Sequence, residues 1–175
     1  HILPGIDDGS RSLEESIALL RMEAEQGINH VVATPHFYPQ HDTPDHFLRK
    51  RKEAENRLRE EMEKYSNLPA VSVGAEVYYF PGISNSEAMS ELTIDQNKCI
   101  LIEMPTPPWT DAMYRELEGL YTKQGLIPIV AHVDRYIGPL QTYGIPERLT
   151  ELPVIVQANA GFFQRLSTRA LALRM

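Results

Sequence analysis

Six side chains able to hold a cation, His1, Asp8, His36, Glu76, Glu103 and His132, each stand at or just past the end of an apolar, strand-like run. In an α/β fold the C-terminal ends of successive parallel strands gather on one face, where ligands bind. The placement therefore predicts that these scattered residues line one polar pocket. Imidazoles and carboxylates without thiolates suit hydrolytic metal ions better than a structural zinc knot. A lone histidine at a strand end is more often a hydrogen-bonded structural residue than a ligand, but here two of them, His36 and His132, each close a strand. Pro35 ends ladder pairing, so His36 is expected to be offered from a turn. Glu103 resists a bland explanation, because a carboxylate after Ile100, Leu101 and Ile102 is costly if buried without a partner. Glu76, after Val73, Gly74 and Ala75, poses the same problem.

Other polar residues read differently. His30 precedes its strand, and His41 and His46 lie in a polar loop and a helix start, so all three are expected at the surface or in caps. Asp7 and Asp8 before Gly9 can form a turn, and Asp8 stays a ligand candidate by its place after the first apolar run. Cys99 opens an apolar strand and is expected in the core; position 105 is Pro, where a cysteine-dependent phosphatase would need Arg. The chain has no Walker loop, no dinucleotide glycine loop and no Gly-x-Ser-x-Gly elbow. Catalysis by metal-activated water remains.

The elements that must position these groups alternate along the chain. Ser12 and Glu15 form a capping box, Leu13, Ile17, Leu20 and Ala24 share one helical face, and Gly27 supplies a left-handed stop. Strands are expected over 28–34, 70–76, 99–104, 127–132 and 154–157, the last three as buried runs. Helices are expected over 44–65, through Met113, Leu117 and Leu120 to Gly125, and from Gln164 to Met175. Repeated βαβ units imply a parallel sheet or barrel, with an incomplete or distorted (β/α) barrel preferred over a doubly wound open sheet.

With 175 residues the chain fits a single domain. A net charge of −7 argues against a nucleic-acid surface, and the Arg49–Lys52 run is balanced by Glu53, Glu55, Glu60 and Glu61 on a solvated helix. No run is long enough for a membrane span, and a single cysteine makes the cytoplasm the expected compartment.

The segments at 1–10 (His-Ile-Leu-Pro-Gly-Ile-Asp-Asp-Gly-Ser), 33–36 (Ala-Thr-Pro-His), 74–78 (Gly-Ala-Glu-Val-Tyr), 100–105 (Ile-Leu-Ile-Glu-Met-Pro), 131–136 (Ala-His-Val-Asp-Arg-Tyr) and 157–161 (Gln-Ala-Asn-Ala-Gly) together resemble the polymerase and histidinol phosphatase (PHP) superfamily. Within it the chain looks most like the bacterial manganese-dependent tyrosine-protein phosphatases of the CpsB/CapC/YwqE type. The resemblance implies a distorted PHP barrel with a trinuclear manganese centre, and iron or zinc suit the same donors. It assigns His1, Asp8, His36, Glu76, Glu103 and His132 as metal ligands, with Glu76 bridging two metals, and Arg135 as the group that steadies the phosphoryl oxygens. The family's first His would precede His1 and its late Asp-x-His pair would follow Met175, so the domain is expected to be truncated at both ends. The implied substrate is phosphotyrosine on an autophosphorylating tyrosine kinase of the capsule or exopolysaccharide pathway. A small-molecule phosphomonoesterase, such as a histidinol-phosphate phosphatase, and a non-catalytic relic are the alternatives. The rigid Thr-Pro-Pro-Trp loop at 106–109 is the best candidate for a substrate-facing edge, with ordinary packing the commoner role of any single aromatic such as Trp109, and Asp134 is a candidate proton donor, with an exposed structural acid the commoner role.

Overall fold

The computed structural model describes residues 1–138 and 143–164. They fall into two compact units, His1–Val77 with Glu91–Asn97, and Tyr78–Ser90 with Lys98 onward.

In the first unit the elements are α1 (Leu13–Glu25), β1 (His30–Ala33), β2 (His36–Phe37), α2 (Pro44–Met62), β3 (Ala70–Val73) and β4 (Glu76–Tyr78). Ser12 caps α1, its Oγ accepting the Glu15 N–H at 3.2 Å. Only half of the expected box forms, because the Glu15 carboxylate takes the Arg11 N–H at 2.8 Å. Gly27, at φ +84°, turns the chain off the helix as expected. β1 pairs in parallel with β3, and β2 with β4. Ile17 and Leu20 of α1, Ala54 and Leu58 of α2, and Ala33, Val71 and Val73 bury one apolar core. Burying each large aliphatic side chain contributes about 1.5–3 kcal/mol.

Two expectations are corrected here. His36 does not hang from a turn but opens β2, in register with Glu76. Pro35 lacks an N–H, yet its carbonyl still accepts the Glu76 N–H at 3.0 Å, so the ladder resumes one residue later. His30 is exposed, as expected, but it opens β1 rather than preceding it, with Nε2 2.6 Å from Ser72 Oγ. The Ser72 hydroxyl in turn donates to Asp95, which also accepts the Val73 N–H and so ties the 91–97 segment to β3.

The second unit contains β5 (Cys99–Glu103), α3 (Asp111–Gln124), β6 (Ile127–Val130), α4 (Ile145–Thr150), β7 (Ile155–Val156) and α5 (Ala160–Gln164). β6 lies between β5 and β7 and runs parallel to both. α3 packs on β6 and on the 3₁₀ turn Ile83–Asn85, burying Leu117 and Leu120. A Cβ on Gly119 would sit 2.7 Å from Ser84 Cβ, so that contact demands glycine.

Parallel strands with intervening helices make the α/β class expected from the sequence. The run at 99–104 was expected to be buried on both faces, but burial alternates: Ile100 and Ile102 are buried, while Cys99, Leu101 and Glu103 are partly exposed. Cys99 is thus half-buried at the strand start rather than core. Ile155 and Val156 of β7 are exposed, against the expected buried strand, because β7 has one strand neighbour, β6, among the described residues. The helix expected over Gln164–Met175 lies, past Gln164, outside the described residues. Among the described residues no helix is long and apolar enough to cross a membrane.

Candidate metal-binding site

Four expected ligands meet in the first unit. The loop from His1 to Ser10 folds back on itself, with the Ser10 N–H donating to His1 O at 3.0 Å. A Cβ on Gly9 would lie 2.2 Å from that same carbonyl, so the loop closes only around glycine. The fold-back brings His1 to the β2–β4 pair, where its ring stacks on His36 with centroids 4.3 Å apart. His1 Nε2 is 3.3 Å from Glu76 Oε2, and His36 Nε2 is 3.7 Å from Asp8 Oδ1. Donor atoms of His1, His36 and Glu76 lie within 4.8 Å of one another, as do those of His1, Asp7 and Asp8.

Asp7 is the residue that sequence reasoning missed. Its buried carboxylate accepts from His1 Nδ1 at 2.6 Å, from the His36 N–H at 3.0 Å and from the Gly9 N–H at 3.0 Å. The Asp-Asp-Gly string announced a turn, and the Gly9 bond is that turn; nothing in the string announced the reach to residue 36. Burial pushes the Asp7 carboxyl up, but the hydrogen bonds from His1, Gly9 and His36 outweigh it and hold the carboxyl below its ordinary range. Asp7 and then Glu76 bond the His1 imidazolium and raise its pKa to about 10.

Glu103, His132 and Arg135 meet in the second unit. Glu103 ends β5, and His132 follows β6 at a φ of +33°, a left-handed conformation unusual for a residue with a Cβ. Gln157 secures that turn: its side-chain oxygen accepts the His132 N–H and its carbonyl accepts the Val133 N–H at 2.9 Å. His132 Nε2 stands 3.5 Å from Glu103 Oε1, and Arg135 Nη1 stands 4.0 Å from the same oxygen. His132 is buried, whereas most of the Arg135 side chain is open to solvent.

Three other residues make structural contacts. Asp134 accepts from the backbone N–H and side-chain amide of Asn159, at 2.8 and 3.0 Å. Trp109 is buried rather than displayed, with its indole N–H on Pro105 O at 2.7 Å and its ring edge-on to Tyr136. His46 binds Asp42 at 2.6 Å beside the start of α2, as a helix-start residue would.

The donor chemistry fits a divalent metal. Two ligands on one ion with bonds of ~2.1 Å lie about 3–4 Å apart, as do His1 Nε2 and Glu76 Oε2 at 3.3 Å. Only nitrogen and oxygen donors are present, which suits manganese, iron or zinc. A histidine must be neutral to ligate, so an incoming ion has to displace the proton that Asp7 and Glu76 keep on His1. Metal affinity should therefore rise with pH while His1 remains below its pKa, by up to about tenfold per pH unit. Calorimetry in buffers of different ionisation enthalpy would register the released proton; affinity flat in pH would remove His1 from the ligand set.

A family model described as capsular polysaccharide synthesis, CpsB/CapC, matches residues 1–164. CapC of Staphylococcus aureus is 32% identical over 142 residues, which cover 77% of this chain and 52% of CapC. The tyrosine-protein phosphatase YwqE of Bacillus subtilis (strain 168) is 27% identical over 183 aligned positions, covering 100% of this chain and 69% of YwqE. A solved structure from a crystallographic study of YwqE and of CpsB from Streptococcus pneumoniae, described as metal-dependent tyrosine phosphatases, matches with a TM-score of 0.80 at 24% identity. It covers 99% of this chain and 71% of that one, a likeness of fold. The chain spans about half the length of CapC.

Proposed function

The chain belongs to the CpsB/CapC family of capsular polysaccharide synthesis, and from that premise we propose that it hydrolyses phosphotyrosine in proteins with the help of bound metal ions. The observation that carries the reading is the convergence of His1, His36 and Glu76 donor atoms within 4.8 Å, from three separate stretches of the chain. The description of YwqE as a tyrosine-protein phosphatase supports the substrate class. The proposed ligands are His1, Asp8, His36 and Glu76 in the first unit and Glu103 and His132 in the second. Manganese is the proposed ion.

A divalent metal held by these residues supplies Lewis acidity and a nucleophilic water near neutral pH. The chain's own groups do the rest. Asp7 keeps His1 oriented, with Nδ1 on the carboxylate and Nε2 directed at Glu76. The solvent-facing guanidinium of Arg135 neutralises charge that grows on the nonbridging phosphoryl oxygens. A phenolate leaves with modest proton assistance, in keeping with an Asp134 engaged by Asn159.

The proposed partner is an autophosphorylated tyrosine kinase of the capsule or exopolysaccharide pathway, met in the cytoplasm. The test is to strip the protein of metal, add back manganese, iron or zinc, and compare hydrolysis of a phosphotyrosine peptide with that of histidinol phosphate. The peptide should be turned over with the higher kcat/KM. Preference for histidinol phosphate would make the protein a small-molecule phosphomonoesterase, and silence with every metal would leave a binding module.

A further inference from the structure

Beside the first-unit donors lies an open cleft of about 360 Å³, large enough for one aromatic side chain and its phosphate. Its lining follows the chain outward from Asp8 and His36 through Tyr38 and His41 to Lys50. The wall is a column of rings: Tyr38 stacks on His36 with centroids 5.1 Å apart, and His41 meets Tyr38 edge-on at 6.4 Å. Asp7, Asp8 and Asp42 make the rest of the polar lining acidic, and the whole chain carries −7. A metal at Asp8 and His36 would meet the phosphate, whereas a further anionic group along this acidic lining is repelled unless a second cation meets it.

Lys50 is the cation in that lining, exposed on α2. Asp42, the lining acid on which the charge of Lys50 acts, has its Oδ1 held by His46 Nδ1 at 2.6 Å and by the Thr43 N–H at 2.8 Å. Among the described residues Lys50 has no salt bridge within 4.0 Å, so its ammonium is open to a ligand. Lys50 reaches the cleft from α2, whereas Asp8 and His36 come from the opening loop and β2. We propose that Lys50 is a specificity-determining residue that pairs with a second anionic group on the substrate, the carboxylate of an acidic residue flanking the phosphotyrosine. This rests on the phosphatase reading and adds to it a preferred substrate class, phosphotyrosine in an acidic context.

The experiment uses the full chain and two labelled phosphotyrosine peptides, identical except that one carries Glu and the other Gln beside the phosphotyrosine. Binding is read by fluorescence anisotropy, without need of turnover, and hydrolysis is followed separately with p-nitrophenyl phosphate as a substrate lacking any flank. Wild-type protein should bind the Glu peptide more tightly, and Lys50→Gln should erase that preference, a loss of roughly fivefold that shrinks with added salt. Lys50→Arg should keep most of the preference. Turnover of p-nitrophenyl phosphate should be unchanged in Lys50→Gln. Equal binding of both peptides by wild type, or a Glu preference that survives Lys50→Gln, overturns the proposal. So does a parallel fall in p-nitrophenyl phosphate turnover, which would put Lys50 on the phosphate itself. Failure of the wild type to hydrolyse any aryl phosphate strikes the phosphatase reading instead, and the anisotropy comparison still decides the role of Lys50.

Discussion

Arg135→Ala should lower kcat on a phosphotyrosine peptide by about 100- to 1000-fold, the range seen when one preorganised donor to a developing oxyanion is removed, while leaving metal content intact. The structure separates the two quantities. The Arg135 side chain is largely solvent-exposed, and among the described residues its close acidic neighbour is Glu103 Oε1, at 4.0 Å. An exposed pair of that length contributes at most about 1 kcal/mol to stability, so the variant should fold. The backbone that holds His132 does not depend on the guanidinium, because the Arg135 N–H bonds His132 O at 2.8 Å and Gln157 anchors the same turn. Glu103 and His132 therefore keep their placement when the side chain is cut back. Arg135→Lys should recover part of the loss, since a lysine restores the charge but not the fork of parallel donors. Steady-state kinetics alongside metal analysis decides the matter: a fall in bound metal equal to the fall in kcat would make Arg135 a structural partner of Glu103.

What could be read from residues alone divides along physical lines. Helix starts and stops were legible because they rest on local chemistry, as with Ser12 below Glu15 and Gly27 at positive φ. The metal-ligand candidates were legible because a carboxylate or imidazole at the end of an apolar run has few bland uses, and the structure gathers His1, Asp8, His36 and Glu76, and likewise Glu103 and His132. Errors arose where pairing is non-local. Pro35 announced the end of a ladder, yet a carbonyl needs no N–H of its own, and the strand resumed at His36. The exposure of Ile155 and Val156 depends on what lies beside β7, which no apolar run can announce. The Thr-Pro-Pro-Trp loop read as a substrate-facing edge, but the Trp109 indole N–H found Pro105 O and its ring meets Tyr136 edge-on. Second partners of the candidate ligands, Asp7 and Gln157, were invisible for the same reason: each acts on a residue 25 or more positions away.

Asp7→Asn should weaken metal binding in the first unit by about 10- to 100-fold, the usual cost of losing the carboxylate behind a ligating histidine. One oxygen of Asp7 accepts from both His1 Nδ1 and the His36 N–H, and the other accepts the Gly9 N–H. An asparagine amide can present its oxygen to one side only. Its NH₂ group would then face either the Gly9 N–H or the pair at His1 and His36, setting donor against donor in a side chain that is only 4% exposed. The imidazole of His1 would lose its fixed tautomer, and Nε2 would no longer be directed at Glu76. The same change should lower the pKa of His1 from about 10, since the Asp7 hydrogen bond is the largest cause of its elevation. Less proton competition partly offsets the lost orientation, and the offset has a sign that can be checked. The gain in affinity with rising pH should be shallower in Asp7→Asn than in the wild type, even as the affinity itself drops. Metal titrations at several pH values, with His1 followed by NMR, read both effects. Wild-type affinity in Asp7→Asn would mean that His1 is oriented by Glu76 alone. A steeper pH dependence than wild type would contradict the hydrogen bond as the source of the raised pKa.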